Sequence, residues 1–301
     1  MPFHLSRKDA AAIVIGLWSL AVAIPAAADD AAAKRGEYLF NAADCVSCHT
    51  DTKHKGAFLA GGPPLATPFG VFYAPNITPD MQYGIGKWDE EKFRRALRSG
   101  IGYHGEYLYP VFPYTSFTRM SDGDIADIYA YLRTVKPVAQ PSKDSAVRFP
   151  FSVRRLLWFW RALYFREEPL TPASNQSAEW QRGRYLAEAV AHCQECHTRR
   201  NFFGALEESR AYSGNPEGPD QQDAPNITPD KSSKIASWSV DDVAQLLTDG
   251  QTPDFDYVGS GMGDVVKGTG ALSKADRHAI AVYIKSLPQI HGAPPTKKPK
   301  R

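Results

Sequence analysis

The chain is poor in cysteine and carries almost no excess of charge. Its 301 residues contain four cysteines and four methionines, and the formal net charge is only +2. That balance gives no whole-chain case for nucleic-acid binding, so no nucleic-acid partner is expected. So few cysteines argue against a disulfide-dense scaffold. Beyond the N-terminus no apolar run is long enough to span a bilayer, which takes roughly 20 residues. No convincing run of alternating strand residues is present either, so a strand-based fold is not expected.

Hydrophobic residues make up 43%, enough for real cores, and the length suggests one to three domains. Aromatics at 12%, with 23 Pro and 23 Gly, suggest loop-rich domains that cover large planar surfaces. At the N-terminus Arg7 and Lys8 precede an apolar run from Ala10 to Ile24, followed by Pro25 and three alanines. This is the layout of a secretory signal peptide over residues 1–28, cut after Ala28. The competing reading, a retained anchor, is disfavoured by the short run. The expected location is the periplasm, with membrane association left open.

All four cysteines fall in two matching places. Asp44 to Thr50 reads DCVSCHT, and His192 to Thr198 reads HCQECHT. Two redox-active disulfides would also use this spacing, but a histidine after each pair points elsewhere. C-x-x-C-H is the signature of covalent haem c attachment. Cys45 and Cys48, and Cys193 and Cys196, can each form thioethers with the two vinyl groups of one haem. His49 and His197 then supply the proximal imidazoles. Two covalently bound haem c groups are expected.

The repetition extends past the motifs. Arg35-Gly-Glu-Tyr-Leu39 returns as Arg182-Gly-Arg-Tyr-Leu186, Ala74–Asp80 (APNITPD) returns as Ala224–Asp230, and Trp88 as Trp238. Helix signals repeat too. One helix is expected around Tyr38 and Leu39, with a counterpart at Tyr185 and Leu186. After each tryptophan comes another, capped by Asp89 or Ser239 and ended by Gly100 or Gly250. The last helix of each copy starts at Ser121 or Ser273, with apolar residues spaced three to four apart. The expected organisation is all-α: one module over residues 30–147, a connector over 148–169, a second module over 170–290 and a basic tail over 291–301.

Several stretches carry a family likeness: RGEYL, DCVSCHT, PFGVFYAPNITPD, GIGKW, LYPVFPYTSFTRMSD and the last helix with Tyr131. Together they resemble a class I cytochrome c domain, here in two tandem copies. More closely, the chain resembles the multihaem cytochrome c subunits of membrane-associated alcohol, gluconate and aldehyde dehydrogenases. Those relatives typically carry three haems, whereas this chain has two motifs. The resemblance implies electron transfer, with a periplasmic dehydrogenase as donor and an oxidase or another cytochrome as acceptor. The alternative is a dihaem redox enzyme such as a thiosulfate dehydrogenase or peroxidase; a sensor is the third class, and no output module supports it.

The same likeness guides the remaining site candidates. Met262, in Gly259-Ser-Gly-Met-Gly263 ahead of the last helix, sits where the distal methionine usually lies; an exposed loop methionine is the competing reading. In the first copy, close relatives often have Ala-Met-Pro-Tyr where this chain has Val111-Phe-Pro-Tyr114, and Phe112 cannot bind iron. Met120 is the expected donor there, against a core role at the position aligned with Leu272. His104 and a vacant iron are the other options, and Met81 looks distant. Asn76 and Asn226, in the repeated NITPD turns, are expected to help bind a haem propionate, with a plain rigid turn as the alternative. Trp88 and Trp238 read as core aromatics, and His54, His104, His192, His278 and His291 as surface residues. The segment FPFSVRRLLWFWRALYF, residues 149–165, allows three readings: intramolecular packing, a peripheral membrane contact or docking to a dehydrogenase.

Overall fold

A computed structural model describes Met1, residues 26–218 and residues 222–292. The expected signal segment therefore lies almost wholly, and the basic tail mostly, outside the described residues. The first copy contributes helices α1 (Ala26–Ala42) and α2 (Cys45–His49), then a hairpin of β1 (Pro64–Thr67) and β2 (Gly70–Tyr73). It continues with α3 (Glu90–Ser99), α4 (Tyr114–Phe117), α5 (Asp122–Thr134) and β3 (Ala146–Val147). Helix α6 (Leu157–Tyr164) lies in the connector. The second copy contributes α7 (Ala178–Tyr185), α8 (Gln194–His197), α9 (Val240–Asp249), α10 (Ser260–Thr269) and α11 (Lys274–Lys285).

The helix boundaries follow local chemistry. Asp89 accepts from the Lys92 N–H to start α3, and Gly100 ends it at φ 60°. Ser239 and Asp242 form a reciprocal capping box on α9, which ends at Gly250 with φ 83°. Ser121 and Ser273 cap α5 and α11 in the same way, each accepting from the N–H three residues on.

Two features differ from expectation. A small antiparallel sheet exists, in the order β1-β2-β3, with Thr67 opposite Gly70 and Val71 opposite Ala146. Its strands are only four, four and two residues long, too short to show alternation in the sequence. Gly70 has φ 135°, and a Cβ there would lie 2.2 Å from the Ala146 carbonyl oxygen, so the sheet needs glycine at this crossing. The glycine-rich stretch around Met262, read only as a segment ahead of the last helix, is the first turn of a further helix, α10. Tertiary contact outweighs glycine's poor helix propensity here. A Cβ on Gly268 would come 2.2 Å from the Asn41 carbonyl, so the bare backbone lets α10 lie against the end of α1.

Within each copy the first helix crosses the last. Helix α1 packs on α5, and α7 on α11. The repeated Arg-Gly pair explains the closeness: a Cβ on Gly36 would lie 1.8 Å from the Asp127 carbonyl, and one on Gly183 1.9 Å from that of Ala279. Helix α7 then runs on into a π-helical turn, Leu186–Val190, that α1 lacks.

The copies also face each other directly. Buried apolar residues form one cluster, running from Leu39, Phe117 and Ile125 to Leu186, Val190 and Ile280. Two tyrosines cross the boundary reciprocally. Tyr38 Oη donates to Asp276 Oδ2 at 2.6 Å and accepts from the Ser273 N–H at 2.9 Å. Tyr185 Oη donates to Asp124 and accepts from the Ser121 N–H at 3.1 Å. Each copy's first helix thus helps to cap the other's last helix. The connector runs across the outside: Arg154 donates to the Tyr107 carbonyl, and Trp160 Nε1–H donates to the Phe203 carbonyl.

Candidate functional site

Each Cys-x-x-Cys-His sequence forms a short helical turn at the end of its copy's first helix. The loop that follows is held by the same bonds in both copies. Thr50 Oγ1 accepts from the Leu59 N–H at 3.0 Å, and Thr198 Oγ1 from the Tyr212 N–H at 2.9 Å. Leu59 and Tyr212 adopt φ 59° and 64°, which non-glycine residues rarely do. Their carbonyls accept from Ile77 and Ile227, both at 2.9 Å, and so tie each motif to its Asn-Ile-Thr turn.

These turns orient the histidines. The Nδ1 of His49 lies 2.7 Å from the Pro75 carbonyl oxygen, and that of His197 lies 2.8 Å from the Pro225 oxygen. A carbonyl accepts, so Nδ1 carries the proton and Nε2 keeps its lone pair. A metal-binding imidazole needs this arrangement. Burial pulls both imidazoles below their ordinary value, partly opposed by the bond to the proline carbonyl. Burial pushes the Cys193 and Cys196 thiols up to about 12, unlike the thiolates of disulfide exchange. Among the described residues no three His, Cys, Asp or Glu side chains gather to hold a bare metal ion. One oriented imidazole beside two thiols fits a metal that brings its own ring of nitrogens. The donor set in both copies thus fits haem c.

The other candidates fall in different places. Asn76 is buried, and its amide donates to the Val138 and Gln140 carbonyls while its oxygen accepts from Thr78. Asn226 donates to the Ile290 carbonyl and Ser232 Oγ, and accepts from Thr228. Both side chains staple the turn that holds the proline carbonyl, and their amide hydrogens are committed to protein acceptors. Met262 is half-buried against the core. Met120 is fully buried, and Leu272 at the equivalent position is buried too. Met81 is 59% exposed. Phe112 packs on Phe117, with ring centres 5.6 Å apart. His104 is exposed, its ring set edge-on to Tyr103. Trp88 and Trp238 pack against the core.

Two residues beside the motifs were not anticipated. His192, expected at the surface, is half-buried between the copies, with Nε2 3.2 Å from the Ala43 carbonyl oxygen and its ring on Phe117. Glu195, between the two cysteines of the second motif, accepts from Thr115 Oγ1 at 2.8 Å and Ser116 Oγ at 3.0 Å, both on the first copy. Arg200 pairs with it at 2.5 Å. Burial pushes this carboxyl up, but Arg200 and the Thr115 hydroxyl outweigh that and hold it below its ordinary value. A charged residue between two cysteines was the available signal for Glu195; its partners are too far away in sequence to be read.

A helical scaffold that sets an oriented histidine beside each Cys-x-x-Cys pair is that of a c-type cytochrome. The cytochrome c family profile matches residues 33–136. The chain is 41% identical over 266 residues to a protein named dihaem cytochrome c-type from Cereibacter sphaeroides, covering 86% of each. It is 41% identical to the fructose dehydrogenase cytochrome subunit of Gluconobacter japonicus, over 88% of this chain and 54% of that one. It is 40% identical to the gluconate 2-dehydrogenase cytochrome c subunit of Pantoea cypripedii, over 93% of this chain and 65% of that one. The chain belongs to the cytochrome c family, whose prosthetic group is covalently bound haem c. It spans about half to two thirds of the length of those two dehydrogenase subunits.

Proposed function

We propose that this chain is an exported dihaem electron-transfer protein, taking electrons from a periplasmic dehydrogenase and passing them to an oxidase or another cytochrome. The observation that carries the reading is the twofold Cys-x-x-Cys-His motif, each with its histidine Nδ1 held by a proline carbonyl. The names of the relatives favour an electron-transfer subunit over the dihaem-enzyme alternative. Haem c, when attached, supplies an iron that cycles between two oxidation states. The chain's part is to hold and shield it. Cys45, Cys48, Cys193 and Cys196 form the thioethers, and His49 and His197 are the proximal ligands. The modules are residues 30–147 and 170–290, and Asn76 and Asn226 brace the loop that walls each site.

Met262 is the proposed distal ligand of the second haem. For the first, Met120 is the proposed donor, because Met81 is open to solvent and Phe112 has no donor atom. The core role of Leu272 competes with this assignment, and Met120→Leu separates the two, since leucine keeps the packing but removes the sulfur. Met262→Ala should abolish one sulfur-to-iron charge-transfer band and Met120→Leu the other. A Met120→Leu protein that keeps both bands makes Met120 a core residue only. For the function itself, the holoprotein in an electrochemical cell should take up two electrons per chain reversibly. Catalytic turnover of thiosulfate or peroxide would favour the enzyme instead.

A further inference from the structure

We propose that the outer face of α6, with the arginines flanking it, docks on an anionic lipid surface. A helix on a water-facing surface normally turns its apolar stripe inward and its charges outward. Helix α6 does the reverse. Its inner side carries Trp160, bonded to the Phe203 carbonyl at 2.9 Å. It also carries Arg161, whose guanidinium lies 5.0 Å from the ring centre of Tyr107, 5.5 Å from that of Tyr114 and 4.7 Å from that of Phe165. The outer side carries Trp158, Phe159 and Leu163, with Leu156 just before it, all exposed. Phe202, on the second copy, is 84% exposed and meets edge-on Phe203, which in turn meets Tyr164. Exposed aromatic side chains of the second copy thus lie beside the C-terminal end of α6, where Tyr164 meets Phe203.

Charge decides what covers it. Residues 148–168 contain five arginines against two acidic residues, Glu167 and Glu168, a local excess of three positive charges (five minus two) in a chain whose whole net charge is +2. Arg155 and Arg166 are exposed at the two ends of the apolar face. Aromatic and leucine side chains rimmed by cations match the acyl boundary and the anionic headgroups of a membrane. Tryptophan also favours that boundary. Among the described residues no helix is long and apolar enough to cross a membrane. An eight-residue helix held on its inner side lies in the plane of the surface rather than through it.

The test uses the haem-loaded full chain, followed by its haem absorbance in co-sedimentation with vesicles. Vesicles of mixed phosphatidylglycerol and phosphatidylcholine should bind it at low salt, and phosphatidylcholine alone should bind it more weakly. Trp158→Ser with Phe159→Ser and Leu163→Ser should weaken binding by about tenfold or more, since these side chains carry the apolar area that the acyl boundary would cover. Arg155→Glu with Arg166→Glu, both exposed, should weaken it by about tenfold at low salt and little at high salt. Three results overturn the proposal: no binding to the anionic vesicles, binding that survives both sets of substitutions, or a lipid-free dimer in sedimentation velocity that the serine variant disperses. The last assigns the face to a second copy. Haem content and redox titration do not depend on lipid, so this proposal and the electron-transfer reading fail separately.

Discussion

Between the two cysteines of each haem motif, the first copy has Ser47 and the second has Glu195. Ser47 bonds within its own turn, to Asp44 Oδ1 at 2.5 Å. Glu195 instead reaches Thr115 and Ser116 on the opposite copy and pairs with Arg200. The frames around them match: a threonine receiving the next loop, a positive-φ residue, and a proline carbonyl on the histidine. Where the distal ligand is proposed the copies part again, with a four-residue helix after Phe112 in one and a ten-residue helix carrying Met262 in the other. What is shared frames each Cys-x-x-Cys-His motif and its histidine. What differs joins the copies and, on the proposed ligand assignment, would bring the two sixth ligands from different elements and so give the two sites different potentials.

This contrast predicts unequal effects at equivalent positions. Glu195→Ala leaves Arg200 half-buried without its partner and two hydroxyls without their acceptor. Its expected cost is about 3–4 kcal/mol in denaturant unfolding, the lower part of the range for breaking a buried pair, because Arg200 is partly exposed and keeps the Gly204 carbonyl. A cost no larger than that of Ser47→Ala would show that Glu195 does not join the copies.

Next in size are Gly36→Ala and Gly183→Ala. Each added methyl meets a backbone carbonyl, and each is expected to cost about 3 kcal/mol. These two should match, because the helix crossing is common to both copies. If only one destabilises, the crossings are not equivalent.

The reciprocal tyrosines give a pH test. Burial pushes the Asp276 carboxyl up, but Arg182 and the Tyr38 hydroxyl outweigh it and hold it below its ordinary value of 3.8. A carboxylate depressed in the folded state stabilises the protein above its unfolded pKa, and that stability is lost as pH falls through the folded value. Asp276→Asn should therefore lower stability by about 1–2 kcal/mol at neutral pH, moderated because Arg182 is partly exposed. Thermal melts should show the gap between wild type and variant closing below pH 3.8. A gap independent of pH would remove the charge from the explanation. Ser47→Ala is the smallest change, about 0.5–1 kcal/mol, because its hydrogen bond is local.

What the sequence made legible was local. Asp89, Ser121, Ser239 and Ser273 cap helices within three residues of themselves, so their signals can be read from a short window. The two Cys-x-x-Cys-His repeats are equally local and stand out for the same reason. The bond between Tyr38 and Asp276 spans 238 positions, and nothing near either residue announces it. His192 could not be placed for the same reason, since its contacts, Ala43 and Phe117, belong to the other copy. Asn76 and Asn226 looked like free donors because their acceptors, Val138, Gln140 and Ile290, lie far along the chain. The helix through Met262 was hidden because glycine reads as loop until α1 is seen lying against Gly268.

The central claim is that both copies carry a covalent haem on equivalent scaffolds. The most direct measurement is the intact mass and pyridine haemochrome content of the protein made in cells that attach haem c. The account predicts two haems per chain, falling to one when Cys45 and Cys48 are both replaced by serine, and likewise to one when Cys193 and Cys196 are. A single haem in the unmodified chain, or full haem content after either double replacement, would contradict it.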